Sequence, residues 1–76
     1  RNSGLGYRLV QGLLAEAAEY EGLRLIQLTV TAGNEAALAL YQRCGFVQFG
    51  LEPQAVRVGE DYFDKIHMWR QLPAEG

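Results

Sequence analysis

The stretch from Leu23 to Thr31 constrains the fold more than any other. Its residues follow the two-residue period of a strand, with Ile26, Leu28 and Val30 on one face and Leu25, Gln27, Thr29 and Thr31 on the other. Apolar groups on both faces predict an interior strand, its Thr-rich end near solvent or ligand. A helical pattern leads into it. Leu5, Leu9, Val10, Leu13, Leu14 and Ala17 recur at helical spacing, which predicts a helix from about Leu5 to Tyr20, with Ser3 as its N-cap and Gly22 as its stop. Gly12 inside that helix costs about 1 kcal/mol relative to Ala, so a close approach of helix to sheet is expected there. A helix feeding an interior strand implies an earlier, parallel strand. The 76 residues contain none ahead of the helix. The expectation is one partial domain over residues 1–76, the C-terminal portion of a larger one.

The rest of the chain extends that pattern. Asn34 is a good N-cap for a second helix, about Glu35 to Arg43, with Glu35 in the first turn where the helix dipole favours a carboxylate. Ala37, Leu40, Tyr41 and Cys44 form one stripe along it. Gly45 ends it, and Phe46 is placed to fold back as the apolar contact of such an ending. Phe46 to Val58 reads as a strand interrupted near Gly50 and Pro53, Gly59-Glu60 as a turn, and Asp61 to Leu72 as a final strand. These last two strands form an antiparallel hairpin, and residues 73–76 are expected to fray. The fold class is therefore α/β: two helices and about three strands of a mixed sheet.

Composition removes whole classes of function. Seven Lys and Arg against nine Asp and Glu give a net charge of −2, so no basic field exists to hold a nucleic-acid backbone. No apolar run is long enough to span a bilayer, and the N-terminus lacks a signal-peptide core. One cysteine excludes an internal disulfide and any cysteine-clustered metal site, and suits a reducing compartment. A cytoplasmic protein without a metal is expected. A core of this size supplies only about 3–5 kcal/mol.

The candidate chemistry lies at the start, in Arg1-Asn2-Ser3-Gly4-Leu5-Gly6. Two glycines at the mouth of a helix leave backbone N–H groups unpaired and aimed one way, at the positive end of the dipole. That makes an anion cradle, and glycine omits the Cβ that would hold a phosphate off the backbone. A helix-entry turn with no ligand has the same sequence. A Rossmann loop is excluded because Leu9 stands where the third glycine belongs and no acidic residue ends the next strand. A Walker A loop is excluded because no Gly-Lys-Ser/Thr follows.

In order, Arg1-x-x-Gly4-x-Gly6, the strand Leu25–Val30, Asn34-Glu35-Ala36-Ala37, Leu40-Tyr41 and Gly45-Phe46 resemble the C-terminal half of the GNAT superfamily of acyl-CoA-dependent N-acyltransferases. The run Gly59-x-x-Tyr62-x-Asp64-x-x-x-Met68 is similar to the closing hairpin of bacterial members. The resemblance implies that backbone amides of Arg1, Asn2, Ser3, Gly4, Leu5 and Gly6 hold the coenzyme A pyrophosphate, helped by the Arg1 charge. It places Asn34 beside the pantetheine arm and makes Tyr41 the acid for the departing thiolate. Asn34 and Tyr41 are two helical turns apart and share a face, and a phenol and a thiol titrate close enough together for proton transfer. The implied reaction is acetyl transfer from acetyl-CoA to a primary amine.

Other outcomes stay open at this stage. The family's N-terminal half, which supplies the substrate pocket and the strand beside Leu25–Thr31, has no counterpart in these residues. A non-catalytic module that binds coenzyme A or a partner is the alternative. The unpaired strand edge and the exposed apolar face of the first helix then favour a homodimer, strand exchange or pairing with a separate N-terminal half. Asn34 also serves as a cap, and Tyr41 as a core aromatic. Cys44 reads as a small buried hydrophobe, His67 as a structural or surface histidine, Glu52 and Glu60-Asp61 as solvated charges, and Met68 and Trp69 as packing.

Overall fold

A computed structural model describes residues 4–72. The element order is α1 (Leu5–Ala17), β1 (Leu25–Thr31), α2 (Glu35–Arg43), β2 (Val47–Val58) and β3 (Asp61–Gln71). The strands form one sheet in the order β1-β3-β2, and both pairings are antiparallel. β1 and β2 therefore run parallel to each other with β3 between them, and α2 is the crossover. β3 is the central strand of the described sheet. β1, expected to be interior, is bordered on one side only among the described residues. Among the described residues the sheet is antiparallel throughout, so the mixed sheet expected from the sequence is not seen in them.

Register explains which face is buried. Ile26, Leu28 and Val30 pair with Arg70, Met68 and Ile66, so these side chains share a face. Both helices pack there: the core is Leu14, Val30, Cys44, Phe46, Met68 and Leu72, lined by Tyr7, Val10, Ala17, Leu40 and Tyr41. Met68 is fully buried at the centre. The opposite face, with Leu25, Gln27, His67 and Trp69, contributes nothing to this core.

α1 departs from expectation in three ways. Gly4 is its N-cap, in the left-handed region at φ 86°, with no side-chain cap, and Ser3 lies outside the described residues. The helix closes at Ala17 rather than Tyr20, because Glu19 and Tyr20 donate to the carbonyls of Glu16 and Ala17 in tighter, three-residue turns. Finally, a Cβ added at Gly12 would meet nothing within 4 Å, so no close approach to the sheet occurs there. The close approach is at Gly6, where a Cβ would stand 3.3 Å from Leu40 Cδ2. Leu5, Leu9 and Leu13, read as part of the apolar stripe, form its outer row and remain 64%, 62% and 64% exposed.

The hairpin follows the sequence closely. A two-residue turn, Gly59-Glu60, joins Val58 to its partner Asp61, and register shifts fall between Gln48 and Gly50 and between Glu52 and Val56. The second shift is held by Asp64, whose Oδ1 accepts the Gln54 N–H at 2.9 Å. The Asp64 carbonyl accepts from the Ala32 N–H at 2.8 Å, which ties the hairpin to the loop leading into Asn34. The tail at 73–76 lies outside the described residues.

Candidate functional site

The N-terminus of α1 carries backbone donors in its first turn. The first amide to bond back into the helix is that of Arg8, to the Gly4 carbonyl at 3.0 Å. The amides of Gly6 and Tyr7 ahead of it have no intrahelical acceptor. No acidic side chain occupies the first turn, so the positive end of the dipole is not neutralised from within the helix. Of the residues expected to form the cradle, Gly4, Leu5 and Gly6 stand at this terminus, whereas Arg1, Asn2 and Ser3 lie outside the described residues.

α2 is brought to the same end of the molecule. Gly6 rests on Leu40, and the Arg43 guanidinium lies 4.4 Å over the Tyr7 ring. A cation over an aromatic face contributes about 0.5–1 kcal/mol at an exposed site, so this contact fixes the first turn of α1 against the last turn of α2. At the other end of α2, Asn34 Oδ1 accepts the Ala37 N–H at 3.2 Å. Asn34 is exposed and Tyr41 half-buried. The Tyr41 hydroxyl makes no hydrogen bond among the described residues, and its ring packs on the core. Asn34 caps the helix, and the Tyr41 hydroxyl is uncommitted to the described residues.

On the opposite sheet face lies a pair that sequence inspection did not join. His67 Nε2 and Glu52 Oε1 are 3.0 Å apart, and the Phe49 ring meets His67 edge-on at 5.9 Å. The sequence alone reads His67 as a structural or surface histidine and Glu52 as a solvated charge. The two are 15 residues apart, and two register shifts in β2 decide which residue faces which. An interruption signal at Gly50 and Pro53 is visible in the sequence, but its size is not. Cys44 is buried at 2% exposure, as expected of a small hydrophobe. Among the described residues no three His, Cys, Asp or Glu side chains gather to hold a metal, and no helix is long and apolar enough to cross a membrane.

The helix–strand–helix order and the closing hairpin define an α/β half-fold. The model of the acetyltransferase (GNAT) family matches residues 1–46, and the chain belongs to that family. Over 54 residues it is 39% identical to the L-methionine sulfoximine/L-methionine sulfone acetyltransferase of Pseudomonas aeruginosa, covering 71% of this chain and 31% of that protein. An acetyltransferase of the GNAT family from Streptococcus pneumoniae superposes with a TM-score of 0.88 at 35% identity, covering 95% of this chain and 42% of that one. A GNAT superfamily phosphinothricin acetyltransferase from Sinorhizobium meliloti, solved in complex with AcCoA, shares the fold with a TM-score of 0.85 at 24% identity, covering 95% and 38%. The chain spans less than half the length of each of these proteins.

Proposed function

We propose that this chain is the acyl-CoA-binding portion of an N-acetyltransferase that transfers acetyl from acetyl-CoA to a primary amine. The observation that carries it is the α1 N-terminus, entered through left-handed Gly4, free of acidic side chains and pressed by Gly6 onto the helix that bears Asn34 and Tyr41. Family membership supports the same assignment.

Each residue then has a task. Backbone donors of the Arg1–Gly6 loop hold the pyrophosphate, and a diphosphate suits a dipole end lined by N–H groups. Asn34 uses the side-chain amide nitrogen left over from capping to bind the pantetheine arm. Tyr41 gives its hydroxyl proton to the sulfur when the carbon–sulfur bond breaks under attack by a neutral amine. Acetyl-CoA supplies the activated acyl group as co-substrate.

A second reading has its own observation. Leu5, Leu9 and Leu13 form an exposed apolar row on α1, and Leu13 continues into a groove with Ala17, Tyr20 and Leu23. With the β1 edge that no described strand borders, this surface favours association, as a homodimer or with an N-terminal half.

Calorimetric titration of acetyl-CoA into the folded chain tests the first reading. Saturable heat supports it. A well-folded chain that gives none overturns it for these residues and leaves the association reading.

A further inference from the structure

The two helices carry one cation each, Arg8 on α1 and Arg43 on α2. Arg43 is held against the first turn of the other helix. Leu40 and Arg43 are three residues apart and share the face of α2 turned to α1. Gly6 rests on the first, and the second lies 4.4 Å over the centre of the Tyr7 ring. A cation in the last turn of a helix ordinarily serves the carbonyls left open there. Those of α2 are already served: the Leu40 and Tyr41 carbonyls accept from the Cys44 N–H, that of Tyr41 also from Phe46, and that of Gln42 from Gly45. The Arg43 guanidinium makes no hydrogen bond and no ion pair among the described residues. Stacking occupies one face of a guanidinium and leaves its five N–H donors free in the plane. Arg43 is therefore an exposed, oriented fork of donors beside a helix start whose first turn holds no acidic side chain.

We propose that Arg43, seated on Tyr7, binds the 3′-phosphate of coenzyme A and so distinguishes it from the dephosphorylated form. This rests on the acyl-CoA reading and adds a second phosphate contact to it. A diphosphate, its charge spread over two phosphates, suits backbone amides at a dipole end. A phosphomonoester carries about −1.5 to −2 charge at pH 7 and matches a bidentate guanidinium. In a chain of net charge −2, such a group needs a cation of its own nearby. Tyr7 is then a positioning residue. It holds the Arg43 side chain in one orientation, so less rotamer freedom is lost when the phosphate binds.

Calorimetric titration with coenzyme A and with dephospho-coenzyme A tests this. The wild type is expected to bind coenzyme A about tenfold more tightly, the low end for a hydrogen bond to a charged group. Arg43→Gln removes that preference and leaves the affinity for dephospho-coenzyme A nearly unchanged, which a merely structural role for Arg43 would not do. Arg43→Lys keeps part of it, because a point charge replaces the fork. Tyr7→Leu lowers it, and Arg8→Gln keeps it. Equal affinity of the wild type for the two ligands overturns the proposal and leaves the acyl-CoA reading standing. So does a preference that survives Arg43→Gln, or one that Arg8→Gln erases equally. A folded wild type that binds neither ligand overturns both.

Discussion

Phe46 closes the helix that Tyr41 belongs to. Its N–H donates to the Tyr41 carbonyl at 2.9 Å, and the two rings meet edge-on with centroids 5.6 Å apart and planes at 71°. The Gly45 N–H donates to the Gln42 carbonyl at 3.0 Å, which completes a Schellman ending with its accompanying apolar contact. The candidate acid is thus anchored by the stop signal of its own helix, and the orientation of Tyr41 depends on Gly45.

Gly45→Ala is expected to destabilise the chain by at least about 1–2 kcal/mol, the cost of a left-handed conformation for a residue with a Cβ. Gly45 has φ 94°, and the new Cβ would stand 2.7 Å from Arg70 Nε, so the Arg70 side chain must also move. Urea denaturation monitored by Trp69 emission measures this. An unchanged midpoint would contradict the assigned ending.

Tyr41→Phe separates packing from chemistry. The ring contact with Phe46 survives, and the lost hydroxyl has no hydrogen-bond partner among the described residues, so stability should change by less than about 0.5 kcal/mol. Acid catalysis contributes about 10²–10⁴-fold, so thiol release from acetyl-CoA with a panel of amines should fall by about a hundredfold or more. Equal rates in the two proteins would remove Tyr41 from the reaction.

Gly6→Ala tests the contact between α1 and α2. Ala gains about 0.8–1 kcal/mol of helix propensity over Gly, and the Leu40 methyl 3.3 Å away is the flexible end of a side chain. The chain should hold its stability or gain slightly, as urea denaturation would show, because the added methyl meets only that side chain. A loss of more than about 1 kcal/mol would mean that Leu40 cannot give way.

Much of this was legible because local rules and the fold agree. The Asn34 cap, the bounds Glu35–Arg43 and the Gly45-Phe46 stop each depend on neighbours within one turn of helix, and the Gly59-Glu60 turn on two residues. What depended on distant contacts was not legible. Periodicity grouped Leu5, Leu9 and Leu13 with Val10 and Leu14, but it cannot say how wide a face the described chain covers. Apolar groups on two faces predict an interior β1, yet β3 is its one neighbour among the described strands. The His67–Glu52 pair depends on two bulges that no period reveals. At the site, Gly4, Gly6, Asn34 and Tyr41 were picked out by the order of motifs. Arg43 over Tyr7 was missed, because it joins the two helices across 36 residues of chain.

Self-association should follow from the exposed α1 row. Light scattering is expected to show the molar mass rising with concentration, and Leu9→Lys should shift it toward the monomer. Because Leu9 is 62% exposed, that substitution should leave the monomer's stability within about 0.5 kcal/mol. A clean monomer at high concentration would contradict the exposed-edge reading.

Calorimetry of acetyl-CoA binding to the wild type and to Leu5→Asp tests the anion cradle itself. Leu5 is 64% exposed in the first turn of α1, where a carboxylate favours the helix dipole by about 0.3–1 kcal/mol, so the variant should fold at least as well. The same carboxylate repels a pyrophosphate. The expected result is saturable binding to the wild type and a loss of about tenfold or more in the variant. Equal affinity for both proteins, or no binding to a folded wild type, would contradict an acyl-CoA site at the head of α1.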